Sequence, residues 1–201
     1  ATVGAKLVRR GPAATDYTRR QVIDQLTESS RNAELPVRDV TGLNEGGEIP
    51  EARVVDRVEW IRAATQSMRV MTGGTESPRG FITGRITGAQ TGAVLAFISS
   101  GILGQYDPFA SGGQERSDPG IDTGGGELLL VYPNIIAVER QLRVDPTDFR
   151  LWVCLHEVTH RVQFRANPWL ADHMSKSLAV LTEDGGEDIS EVVGRLAEIV
   201  R

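Results

Sequence analysis

The stretch that decides the fold is "VDPTDFRLWVCLHEVTHRVQF", Val144 to Phe164. It opens with a helix-start signature: Asp145 suits the N-cap, Pro146 the first helical position, and Asp148 the positive end of the helix dipole. The helix is predicted to reach about Asn167, because Pro168 disfavours helical geometry in the residue before it. Leu151, Trp152, Val153, Cys154 and Leu155 make it apolar nearly all round, which predicts a central, buried helix. Two histidines four residues apart follow, with Glu157 directly after the first. Residues four apart share a helix face, so His156 and His160 can offer both imidazoles to one ion. Glu157 lies about 100° round the helix from His156, where it can flank an ion and take a proton from its water. This is the HExxH spacing of a zinc site with its general base. The alternative is a hydrogen-bonded core cluster, since unpaired polar groups in a core are costly.

A catalytic zinc takes three protein ligands and keeps one position for water. The position six residues after His160 is Ala166, so the histidine-extended form of the motif is absent. The remaining histidine is His173. A helix starting at Pro168 and folding back on the motif helix would climb about 8 Å to His173, against about 10 Å from His160 to the turn. That brings His173 to the level of His160 and makes it the candidate third ligand; the alternative is a surface or interhelical histidine. Its rivals are Glu183 and Glu187, in the broken stretch "TEDGGED", and Glu191, on a last amphipathic helix from Ile189 to Val200.

Outward from this stretch, the chain of 201 residues is 40% hydrophobic and 24% charged, enough for one good-sized core. A net charge of -5 excludes a general nucleic-acid binder, which needs a basic face. A single cysteine, Cys154, excludes a disulfide framework and a multi-thiolate zinc site, and fits a reducing cytoplasm. No secretory leader opens the chain, so a cytoplasmic location is expected. Helices are expected over Thr15 to Ala33, from Pro50 to about Met71, over Asn134 to Arg143, and from Pro168 to about Leu181. "ELLLVYP" reads as the best strand, ended by Pro133. Its edge could align an extended substrate. Thr72 to Gly80 and Ser111 to Gly126 read as loops.

Small residues recur every fourth position at Gly84, Gly88, Gly92, Ala96, Ser100 and Gly104, a smooth stripe if helical. Its apolar part, Ala93 to Leu103, is shorter than the roughly 20 residues of a membrane span, so a closely packed core helix is expected instead. Cys154 reads as a core thiol rather than a nucleophile. No G-x-S-x-G elbow supports serine catalysis, and the glycines at 124 to 126 lack the context of a phosphate loop. In "GQYDPF", Tyr106 and Asp107 fit either an oxyanion donor with a supporting carboxylate or, preferably, an Asp-Pro turn.

"VVDRVEWI", "GQYDPF", "LLLVYPNI", "DFRLWVCLHEVTHRVQF" and "PWLADHM" together resemble the zincin-like family of actinobacterial proteins classed as zinc-dependent metalloproteases. Some of its members are labelled as associated with biosynthesis of a deazaflavin coenzyme. The resemblance implies a largely helical zincin-like domain of unassigned substrate, with His156 and His160 as metal histidines and Glu157 as catalytic glutamate. Family members are longer, with a downstream "LLEGH" helix as a natural source of the third ligand. The expectation is a fold that is mainly α with a small β element. Residues 1–201 form a single zincin-like domain, or the N-terminal part of a longer family domain. The expected function is zinc-dependent hydrolysis of a peptide or amide substrate, with no nucleic-acid or membrane partner. A catalytically inactive zincin-like scaffold binding a metal or a partner is the alternative.

Overall fold

The computed structural model describes residues 2–8, 11–43, 50–71, 92–110 and 126–184. Their helices are α1 (Thr2–Leu7), α2 (Asp16–Asn32), α3 (Glu34–Thr41), α4 (Arg57–Met71), α5 (residues 92–98), α6 (Tyr132–Leu142), α7 (Pro146–Ala166) and α8 (Trp169–Asp184). Three short strands complete the described fold: β1 (Arg53–Val55), β2 (Gly104–Asp107) and β3 (Glu127–Val131). The architecture is mainly α with a small sheet, as the sequence predicts.

The sheet has the order β1-β3-β2, with β1 parallel and β2 antiparallel to β3. The unbroken apolar run of β3 is explained by this central place. Leu128 and Leu130 enter one apolar cluster with α2, α6 and α7, while Leu129 and Val131 enter a second with α4 and α5. A strand buried on both faces has no need of polar alternation. The central place also corrects one expectation: β3 cannot align a substrate, because both its edges are taken by β1 and β2.

α7 forms as its start signal predicts. Asp145 accepts backbone hydrogen bonds from Thr147 and Asp148 at 2.8 and 3.1 Å, Pro146 follows it, and the helix ends at Ala166. Its buried residues are Arg150, Val153, Cys154, Glu157, Val158, Arg161 and Val162, a stripe at helical spacing. α2 and α3 cover that stripe. The opposite face is open, which corrects the expectation of a helix buried all round: Trp152 is 57% exposed. Two buried arginines lock α7 to its neighbours. Arg161 donates to Glu34 of α3 (Nε to Oε2, 3.1 Å) and to the carbonyl of Pro50 (2.8 Å). Arg150 donates to both carboxylate oxygens of Glu139 on α6, at 3.0 and 2.7 Å, and to Gln25 of α2.

The helix expected from Pro50 begins instead at Arg57. Arg53 to Val55 pair with β3, where a β-branched pair gains more from a sheet than from a helix. A reciprocal capping box then starts α4: Asp56 Oδ1 accepts from Glu59 N and Glu59 Oε2 accepts from Asp56 N, both at 2.8 Å. The small-residue stripe is likewise shorter than a continuous helix requires. α5 ends in a turn at residues 99–101, and Gly104 belongs to β2; residues 84–91 lie outside the described residues. The turn is held by Asn134, whose Nδ2 donates to the carbonyls of Ser99 (2.8 Å) and Ile102 (2.6 Å). No helix of the described residues is long and apolar enough to cross a membrane. The final helix expected over Ile189 to Val200 and the loops at 72–80 and 111–125 also fall outside the described residues.

Candidate active site

The outer edge of β2, unpaired among the described residues, lines a cleft of about 800 Å³, with α7 on one side and α4 and α5 on the other. His156, Glu157 and His160 all stand in its wall. The two imidazoles meet edge to face with centroids 4.9 Å apart, and both are exposed to the cleft rather than buried as the sequence suggested. Glu157 belongs to the buried stripe and is 7% exposed. Helical geometry alone produces this division: one step round the helix carries the chain from the open face to the packed one.

Each group of the motif has a second residue fixing it. Trp152, one turn before His156, stacks on its ring with centroids 5.9 Å apart, and Phe149 stacks on Trp152 in turn. Nδ1 of His160 lies 3.3 Å from the side-chain oxygen of Gln163. An amide oxygen only accepts, so this contact requires the proton on Nδ1 and leaves the Nε2 lone pair for a metal. Glu157 is seated against Gly104. A Cβ at that position would stand 2.6 Å from Glu157 Cγ and 3.0 Å from the Leu129 carbonyl oxygen, so only glycine admits the carboxylate there. Burial raises the Glu157 carboxyl to about 7, and no hydrogen bond or ion pair to it occurs among the described residues.

Other candidates take structural places. Cys154 is fully buried and its thiol faces the Leu26 carbonyl at 3.7 Å. Burial first, and then the charge of Glu157, push that thiol up to about 12, so it is no nucleophile. Asp107 accepts from Ser67 Oγ and, at 3.0 Å, from the backbone of Phe109, which is the Asp-Pro turn favoured by the sequence. Tyr106 packs its ring on Phe164 with centroids 5.6 Å apart, and its hydroxyl lies against Gly126. Burial raises its phenol, against the lowering pull of Arg165 and Arg161.

The expected fold-back of α8 does not occur: α8 makes no extensive contact with α7. The open face of α7 keeps Leu151 and Trp152 exposed. His173 is exposed and packs against Trp169, while its neighbour Met174 reaches the cleft wall. Among the described residues no group of three or more His, Cys, Asp or Glu side chains gathers round one point. Glu183 lies within α8, and Glu187 and Glu191 lie outside the described residues. Two convergent imidazoles therefore fit two corners of a tetrahedral zinc, and the described residues leave a third protein ligand to be supplied.

Sequence reasoning missed Gly104 as part of this site, having placed it in the small-residue stripe. Its signal was the position immediately before "QYDPF", where a strand begins. It also missed the exposure of Trp152, counting it among the core residues.

No curated protein matches the chain. A crystal structure from Chloroflexus aurantiacus, described as a candidate hydrolase with a novel fold, is similar at a TM-score of 0.67 and 26% identity, covering 92% of this chain. This chain spans 58% of that protein's length. The family of zincin-like metallopeptidases matches over residues 1–201, and nothing in that match concerns a deazaflavin coenzyme. Since the match runs the whole length and includes the HExxH helix, the chain belongs to the zincin-like metallopeptidase family.

Proposed function

We propose that the protein is a zinc-dependent hydrolase of peptide or other amide bonds, with His156 and His160 as metal ligands and Glu157 as general base. The observation that carries this reading is the placement of Glu157: a buried carboxylate with no ionic partner, at the wall of a cleft beside two imidazoles. Zinc at the two histidines would supply Lewis acidity, making water deprotonable near neutral pH. Glu157 would hold the proton of an attacking water whose oxygen bonds to the carbonyl carbon. It then passes the proton to the amine nitrogen as the carbon–nitrogen bond breaks. Gln163 holds His160 in the tautomer that leaves Nε2 free, and Trp152 fixes the plane of His156. The open edge of β2 offers backbone groups to an extended substrate, the role that β3 cannot take.

For the third ligand His173 is the first candidate, with Glu183, Glu187, Glu191 and a residue outside this sequence as rivals. That no third such side chain gathers with the pair among the described residues favours a second reading, an inactive zincin-like scaffold that binds a metal or a partner. The free, buried Cys154 supports a cytoplasmic setting.

Metal analysis by mass spectrometry tests the proposal. About one zinc per chain is expected, lost in His160→Ala. A chain that takes up no zinc when supplied with it would overturn the metal reading. Zinc uptake without turnover of any peptide or amide by the wild-type chain would favour the scaffold.

A further inference from the structure

A cavity of about 430 Å³ opens where β1 and β3 end, and it shares no lining residue with the cleft. The two strands run parallel, so α4 and α6, which follow them, begin at the same end of the sheet. Ligands gather at such ends because helices start there with their positive poles outward. α1 packs on α4 and closes one side of the cavity with Ala5 and Val8. Residues 11–14 close another and are held tightly against α6. A Cβ at Gly11 would stand 2.8 Å from Pro133 Cβ, and Arg140 donates to the Ala13 carbonyl at 3.0 Å.

Most of the lining is apolar, including Val8, Pro12, Ala14, Val58 and Ile136. Its polar side chains are Arg19, Asp56, Arg57 and Tyr132. Two of these are engaged in holding the fold. Asp56 forms the capping box of α4 with Glu59, and Arg57 Nε donates to Asn134 at 2.6 Å. Arg19 meets Asp16 at 3.3 Å, but that carboxylate is 82% exposed, and a pair so open to water exchanges readily for another anion. The Tyr132 hydroxyl has no hydrogen-bond partner among the described residues, although the residue is half-buried. Burial raises its phenol, the charge of Arg19 pulls it down, and Asp56 and Glu59 push it up, so the guanidinium and the hydroxyl share one environment.

We propose that this cavity is a second binding site, for a small monocarboxylate with an apolar body. Its carboxylate takes the Arg19 guanidinium and the Tyr132 hydroxyl, and its carbons lie against Val8, Pro12 and Ile136. A guanidinium and a hydroxyl both donate, and the two oxygens of a carboxylate accept from both. The apolar lining disfavours a bare inorganic anion, which has no carbons to cover it. The site goes beyond the hydrolase reading and does not depend on it.

Nuclear magnetic resonance titration of the full chain tests the site, with phenylacetate and isovalerate as probes. Phenylacetamide removes the charge, benzylamine reverses it, and acetate and inorganic phosphate lack the apolar body. Both probes should bind about tenfold or more tightly than each of these controls. Arg19→Gln should weaken the probes by about tenfold. Tyr132→Phe should weaken them less, and Ala14→Trp should block them by filling the space. Arg19 is half exposed, so its variant answers the question even if the Ala14 variant fails to fold. His160→Ala should leave the affinity unchanged, whereas a carboxylate held by a metal in the cleft would be lost with that histidine. Binding that disappears in His160→Ala, survives Arg19→Gln undiminished, or is matched by any of the controls would overturn the site. So would the absence of binding by both probes.

Discussion

α7 buries three charged side chains and treats them in two ways. On the face packed against α2, α3 and α6, Arg150 and Arg161 each meet a carboxylate and at least one further acceptor. On the side that meets β2, Glu157 meets a bare glycine and no counter-ion. The first arrangement neutralises buried charge and fixes the relative positions of four elements. The second leaves a charge uncompensated, which a fold tolerates only at a cost. A largely buried residue whose carboxylate meets only the cleft, beside paired groups on the same helix, marks this face as the candidate for chemistry.

Substitutions on the two faces should therefore separate activity from stability. The largest effect is expected for Glu157→Gln. Turnover of a peptide substrate should fall by about 10²–10⁴-fold, while the thermal midpoint holds or rises because a desolvated carboxylate is removed. A midpoint that drops sharply would mean that Glu157 is structural after all. Arg161→Ala should do the reverse of that separation. It leaves Glu34 fully buried with Arg38 as its remaining partner, and unfolding in denaturant should show a loss of about 3–5 kcal/mol. Replacing Glu34 with Leu and Arg161 with Met together should restore most of it. A single-variant loss close to zero would show that the pair carries no weight.

Gly104→Ala joins the two faces. Its Cβ must displace either the Glu157 side chain or the β3 backbone, at about 1–3 kcal/mol of stability. Turnover should fall much further than zinc content, since the histidines are untouched. Parallel loss of both would place Gly104 in the scaffold alone. The smallest effect is expected at Cys154. Its thiol should resist an aromatic disulfide reagent in the native protein and react once the chain is unfolded. Rapid native labelling would contradict the packing of α7.

The strongest features of the fold were legible in the chain because they are local. The Asp145–Pro146 start, the stop before Pro168, the apolar run of β3 and the HExxH spacing all act over a turn of helix or a few strand residues. What was not legible depends on which elements meet. Pro50 looks like a helix start until Arg53 to Val55 find β3. Leu151 to Leu155 read as buried all round, because nothing in their own sequence says that one side is left uncovered. The fold-back of α8 is likewise a matter of which helices meet: α7 leaves Trp152 exposed on its open face, yet α8 makes no extensive contact with it. Arg150 and Arg161 gave no sign of burial, since their partners Glu139, Gln25, Glu34 and Pro50 all lie on other elements. Of the candidate site, His156, Glu157 and His160 were readable and the residues packed against them were not. Gly104 has no pattern of its own, only a neighbour it must not touch.

β2 is four residues long and is followed at once by Pro108. Residues of an edge strand turn their backbone groups outward alternately, so roughly two residues remain to pair with any arriving strand. Backbone pairing alone therefore grips a visiting chain weakly. That brevity guards the edge against growing into an aggregate with further copies of the protein. It also means that a visiting chain lets go readily once its side chains lose their hold.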